Sequence, residues 1–344
     1  MSRVLDTFLD LVRIDSPTGR ERRVGQYLAD ALASTGVEVR FDASSTVTGS
    51  DTGNLLARLP GTAPGPVVAL SAHMDCVQPC EGIEPIVVDE IVRSAGTTVL
   101  GGDDKIGCAA IVEVFRRLVE SEAPRPEVRA VFTVCEERGL LGAKALDPAD
   151  CVADLCLVLD ADGSVGGIVT AAPTHYTFSA TFIGRAAHAG VEPEAGISAI
   201  LMATSAVNAM QLGRLDEHTT ANIGTIVGGS ATNVIAPRCS VTGECRSLDR
   251  GRVEDVRELM DATLKAAASD AGGSVEVVWT LEYEGFSTAD DAPGLALVES
   301  ACRAIGVTPR RFATGGGSDG NVFAAHGVPT LVLSSGMSNV HSVD

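Results

Sequence analysis

The chain has 344 residues, 45% of them apolar and only 4% aromatic, so the expectation is two domains with aliphatic α/β cores rather than an aromatic-rich sandwich. A formal charge of −19 repels phosphate backbones and anionic lipid heads, which excludes nucleic-acid and membrane-surface roles. No positively charged leader precedes an apolar stretch and no long uncharged apolar run occurs, so the chain reads as cytoplasmic.

Val4, Leu5, Phe8, Leu9 and Val12 recur at helical spacing, after which Ser16-Pro17-Thr18-Gly19 breaks the chain. Val24, Tyr27, Leu28, Ala31 and Leu32 mark a second helix, stopped near Gly36. Val37, Val39 and Phe41 alternate as a strand does, Asn54 to Leu59 follows, and Val67 to Leu70 is a continuous apolar run typical of a strand covered on both faces. A helix is expected over Ile106 to Val119, with buried strands over Val128 to Val134 and Leu155 to Leu159. Strands separated by helices imply crossover connections and a mostly parallel sheet flanked by helices. The middle differs. Strands at Tyr176 to Ile183, Asn222 to Val227, Cys239 to Cys245 and Val275 to Leu281 interleave with helices at Ala195 to Leu212 and Val253 to Ala268. This β-α-β-β-α-β order is ferredoxin-like. A helix over Asp290 to Val307 and a buried strand over Pro329 to Leu333 return to the first pattern. The expected organisation is therefore an α/β domain formed by residues 1–173 and 288–344, with a smaller α+β domain inserted at 174–287.

The nine cysteines are odd in number and several sit inside apolar runs, as small buried thiols do in a reducing compartment. Cys76/Cys80 and Cys151/Cys156 lack an accompanying His or second Cys pair at ribbon spacing, so no structural zinc site is expected.

Five fragments carry chemistry. In Ser71-Ala72-His73-Met74-Asp75 the imidazole and the acid two residues on point the same way from an extended segment. A carboxylate behind a metal-bound imidazole would orient it, and a core histidine paired with an acid is the alternative. In Leu100-Gly101-Gly102-Asp103-Asp104 an acid pair opens a helix, so a plain N-terminal cap competes with a ligand. Phe132-Thr133-Val134-Cys135-Glu136-Glu137 ends an apolar strand in two adjacent carboxylates, which repel unless a cation or shared proton holds them. Leu157-Val158-Leu159-Asp160 delivers another acid, with Asp162 as its rival, and His341 follows the last strand. Together these read as five apolar strands each ending in a His or a carboxylate. Two imidazoles and three or four carboxylates suit zinc, with cobalt or manganese as alternatives, and exceed what a single catalytic ion needs. Two divalent ions sharing a bridging carboxylate fit better.

In its motifs and their order the chain resembles the di-zinc peptidase family that includes peptidase T, carboxypeptidase G and the aminoacylases. The stretches Val99–Gly107 and Val131–Ala145 are most similar to the peptidase T-like branch. The resemblance implies that Asp103 bridges two metals, His73 and Asp160 complete one, and Glu137 and His341 complete the other. It implies that Asp75 orients His73 and that Glu136 is the general base that activates the bridging water. It also implies substrate contacts from His188, from Asn233 and from Arg246, whose fork suits a carboxylate, although a satisfied loop histidine is the alternative for His188 and a surface ion pair for Arg246. Gly315-Gly316-Gly317-Ser318-Asp319-Gly320 lacks nucleotide-loop lysine spacing and reads as active-site wall. His175, His218 and His326 stand away from any cluster and read as structural or exposed. The sequence ends three residues after His341, where the family usually continues into a helix, so a loosened His341 loop is expected.

The function expected is that of a peptidase T-like aminopeptidase acting on short peptides, with a homodimer formed through the inserted domain. A carboxypeptidase or N-acyl amino acid deacylase needs the same cluster. A metal-binding scaffold without activity is the third reading, against which the presence of Glu136 argues.

Overall fold

The computed structural model describes residues 2–343. The chain divides into two compact units, one reaching to Thr170 and resuming at Ser287–Ala313 and from Ser318 on, the other formed by Ala171–Phe286 and Thr314–Gly317.

The first unit is built on a nine-stranded sheet. Four parallel strands, Val128–Thr133, Val68–His73, Leu155–Asp162 and Thr330–Met337, lie side by side at its centre. Leu55–Leu59 pairs antiparallel with Val128–Thr133 and carries Glu38–Phe41 outside it; Gly167–Ala172 pairs antiparallel with Thr330–Met337. Helices Arg3–Val12, Arg22–Ala33 and Gly102–Glu120 contribute Leu11, Val12, Leu28, Leu32, Ile111 and Phe115 to one aliphatic core with Leu55 and Phe132, all without exposed surface. Burial of these strands on both faces is what their uninterrupted Val, Leu and Ala runs require.

The second unit has a five-stranded sheet in the order Gly213–Arg214, Thr219–Gly228, Arg238–Ser247, Thr174–Ile183, Ser274–Tyr283, with all neighbours antiparallel. Leaving aside the two-residue strand, this is the ferredoxin-like order expected from the sequence. Helices Ala199–Ala209 and Arg250–Asp270 set Met202, Ala206, Val256, Met260 and Leu264 against Phe178, Phe182, Val241 and Cys245.

Several expectations need correction. The helix expected over Ala195 to Leu212 is Ala199–Ala209, because the Ser198 hydroxyl accepts from the Leu201 N–H and caps it, while Pro193–Ala195 forms a separate turn. The helix expected from Asp290 starts at Pro293, whose ring suits the first helical position. The hairpin of Pro85–Val88 and Ile91–Ser94 is missing from the sequence reading. Its turn uses Asp89 and Glu90 at φ 50° and 64° instead of the glycine or asparagine that signals such a turn.

Asn54 ties the sheet to the turn that follows its second central strand. Fully buried, it donates from Nδ2 to Gly142 O (2.9 Å) and Asp42 Oδ2 (2.8 Å) and accepts from Val134 N (3.0 Å). Gly142 is needed there, since a Cβ would lie 2.2 Å from the Val134 carbonyl. Replacing Asn54 by Ala strands buried backbone groups and should cost about 2–4 kcal/mol. The expected result is a lower urea midpoint by circular dichroism; an unchanged midpoint would show that this residue does not staple the sheet.

Candidate metal centre

His73 is the last residue of its strand and is buried. Its Nε2 lies 2.9 Å from Asp103 Oδ1 and 3.8 Å from Asp160 Oδ1, while Nδ1 faces Asp75 Oδ1 at 3.5 Å. The other oxygen of Asp103 lies 3.3 Å from His341 Nε2, which is 2.9 Å from Glu137 Oε1. One carboxylate thus presents an oxygen to each of two imidazoles. Two sets of ligand atoms share it, His73/Asp103/Asp160 and Asp103/Glu137/His341, and a third, His73/Glu136/Glu137, overlaps them, each gathered within 4.8 Å.

The elements that deliver these groups differ from the expected row of five strand ends. Asp103 stands in the first turn of helix Gly102–Glu120, where Asp103 and Asp104 leave helical geometry after Gly101 at φ +70°. Asp160 lies inside the strand Leu155–Asp162, and Asp162, two residues on, is exposed. His341 is half-exposed in a loop four residues past the strand Thr330–Met337, with φ +64°. Only His73 and, through a short turn, the Glu136–Glu137 pair follow the expected pattern. A parallel sheet gathers them nonetheless, because ligands collect where strand ends and the following loops converge.

Asp75 has no exposed surface and does more than face His73. Its Oδ1 accepts from the Glu136 N–H (3.0 Å) and its Oδ2 from the Glu137 N–H (3.2 Å) and the Thr18 hydroxyl (2.8 Å). The acidic turn is thereby fixed to the neighbouring strand. Two more buried acids were not singled out from the sequence. Glu21 accepts from the N–H groups of Gly19 (2.7 Å) and Cys135 (3.1 Å) and from the Ser50 hydroxyl (2.5 Å). Asp319, assigned only to a wall, accepts from the Thr133 hydroxyl (2.5 Å) beside the His73 strand end. Nothing local in sequence marks Glu21 as a buried anchor.

The charges in this cluster act on one another. Burial raises the Glu136 carboxyl well above the usual range; His73 opposes this, while Asp319, Glu137 and Asp75 add to it. Asp160 is raised by burial and by Asp103. Burial would also raise Asp103, but His341 and His73 outweigh it and hold it low. His341 is raised to about 10 by Asp103 and Glu137. An acid cluster that draws protons onto both imidazoles demands positive charge, and mixed imidazole–carboxylate donors at this spacing suit divalent cations. The donor set therefore fits a pair of such ions.

In the second unit, His188 and Asn233 are close: His188 bridges to Val234, and the Ala189 N–H donates to the Asn233 carbonyl at 2.9 Å. His188 is exposed. Arg246 is elsewhere, on the strand Arg238–Ser247, bonded to Glu244 (2.9 Å) and the Tyr283 hydroxyl (3.2 Å). His218 and His326 are exposed as expected, but His175 is buried and 2.9 Å from Glu244.

A family model for the peptidase dimerisation domain matches residues 171–271, and one for peptidase family M28 matches residues 54–166. The chain is 41% identical over 340 residues to the protein YqjE of Bacillus subtilis, covering 99% of this chain and 92% of that one. Among solved structures, the aminopeptidase PepT of Bacillus cereus is 40% identical with a TM-score of 0.91, over 99% of this chain and 92% of its own. A tripeptidase from Staphylococcus aureus is 38% identical with a TM-score of 0.95, over 99% and 91%.

Cations that bind the folded chain alone stabilise it by mass action, by about 2.7 kcal/mol at a hundred times the dissociation constant. Exhaustive chelation should therefore lower the melting temperature by roughly 5–10 °C, restored by adding zinc back. A melting curve indifferent to chelator would argue against a metal held by these residues.

Proposed function

The chain belongs to the peptidase family that includes peptidase T, carboxypeptidase G and the aminoacylases, on its peptidase T-like branch, and from that premise we propose that it is an aminopeptidase of short peptides, of the tripeptide type. The observation that carries this reading is the Asp103 carboxylate facing both imidazoles, with Glu136 buried beside Glu137. His73, Asp103 and Asp160 would hold one divalent ion and Asp103, Glu137 and His341 the other, zinc being the first choice and cobalt or manganese alternatives. Ions so held polarise the scissile carbonyl and acidify a water.

The remaining work falls to the chain's own residues. Glu136 accepts the proton of the attacking water as its oxygen bonds to the carbonyl carbon, then returns that proton to the amine nitrogen as the C–N bond breaks. Its burial supports this role, because a raised carboxyl affinity for protons makes a better base. Asp75 is a positioning residue that holds both the His73 ring and the peptide N–H groups of the acidic turn. His188, Asn233 and Arg246 are assigned to substrate, Arg246 to its carboxylate.

The second unit is assigned to homodimer formation, supported by its match to the dimerisation domain and by the strand Thr219–Gly228, which runs on past its two-residue neighbour Gly213–Arg214 and leaves Ile226 and Val227 47% and 71% exposed. A cytoplasmic location is supported by nine unpaired cysteines.

Glu136→Gln should reduce kcat by about 10²–10⁴-fold while leaving bound metal, measured by elemental analysis, unchanged. Near-normal turnover would remove the base assignment. A tripeptide with a free amino group should be cut faster than its N-acetyl form; the reverse preference would make the protein a deacylase of the same family.

A further inference from the structure

Three strands of the second unit set a polar row on the sheet face opposite the helices. Phe178, Phe182, Val241 and Cys245 face the helix core, so His175, Thr177, Glu244 and Arg246, at odd offsets from them, face the other way. Arg246 lies directly opposite His175, and His175 opposite Tyr283. The His175 and Tyr283 rings are 5.1 Å apart, and Gly317 presses on Tyr283 so closely that a Cβ there would lie 2.2 Å from the ring.

The hydrogen bonds of this row are unevenly spent. Arg246 Nη1 donates to the Tyr283 hydroxyl (3.2 Å) and Nη2 to Glu244 Oε2 (2.9 Å). The same Oε2 is 2.9 Å from His175 Nε2. Arg246 Nε is buried without a partner. Nε and Nη2 form one edge of the guanidinium fork, so Glu244 fills half of an edge that a carboxylate can fill with two parallel bonds. An ion pair built only for stability uses its donors fully, since an orphaned buried N–H is costly. Glu244 is firmly ionised, held down to about 2 chiefly by His175 and then by Arg246 against the effect of burial.

We propose that Glu244 is a resident stand-in for substrate: the terminal carboxylate of a short peptide displaces it from the Nε–Nη2 edge of Arg246, and Glu244 remains on His175. This rests on the reading of Arg246 as the substrate-carboxylate contact. In the empty site Glu244 keeps the guanidinium from being a buried unpaired charge. During binding His175 retains Glu244, so the displaced acid keeps a partner. An amidated peptide end has no charge with which to replace Glu244. The site therefore selects peptides with a free α-carboxylate, and Glu244 sets how strongly.

The test is the ratio of KM for a C-terminally amidated tripeptide to KM for the free acid, measured with the metal-loaded enzyme; the ratio cancels general effects of a substitution. The wild type should give a ratio well above one. Arg246→Gln should bring it near one. Glu244→Gln, which removes the competing charge, should raise it roughly five- to tenfold. His175→Asn, which leaves Glu244 only Arg246 to hold, should lower it by a similar factor. A purely structural role would move the last two variants in the same direction, and that result overturns the proposal while Arg246 stands. An unchanged or lowered ratio in Glu244→Gln overturns it likewise. A wild-type ratio near one, or no response to Arg246→Gln, removes the Arg246 contact and the proposal with it.

Discussion

The buried carboxylate of Asp75 receives peptide N–H groups from Glu136 and Glu137 and a hydroxyl from Thr18, and faces the imidazole of His73. Two adjacent parallel strands deliver His73 and the acidic turn, but strand pairing alone does not fix a turn beyond the last ladder bond. Asp75 does, and its hydrogen bonds from His73, Thr18 and Glu136 hold it ionised despite the burial that opposes this. A neutral side chain would leave two peptide donors without a charged acceptor in a dry environment. Glu21 repeats the device, accepting from the Cys135 N–H that opens the same turn. The acidic turn is therefore suspended from carboxylates on both sides.

Much of this was legible in the sequence for physical reasons. The Val/Leu runs of the central strands admit only burial on both faces, and the alternation in the middle of the chain, with its interleaved helices, led to the ferredoxin-like order. His73, Glu136 and Glu137 were visible because polar groups at the ends of such runs are conspicuous. Asp103 was legible as opening a helix, which it does after a left-handed glycine, but not as one of five strand ends. Glu21 and Asp319 were missed because their partners, Cys135 and Thr133, lie 114 and 186 residues away. His175 was set aside for the same reason: its partner Glu244 is 69 residues on, and only sheet register brings them together.

Acidity acts differently in the two units. Around the candidate centre it is concentrated, and protons are drawn onto His73 and His341. In the Arg246 row the one acid, Glu244, has the Arg246 guanidinium beside it. The first arrangement attracts cations; the second holds a cation ready for an anion.

Eight of the nine thiols are buried, and none is in a disulfide. Six lie in the first unit, from Cys76 to Cys156, and two, Cys239 and Cys245, in the second; Cys302 alone is partly accessible. Alkylating reagents reach a buried sulfur only when its surroundings open. The chain thus carries its own clocks of local opening, one set for each unit, readable by mass without any introduced label.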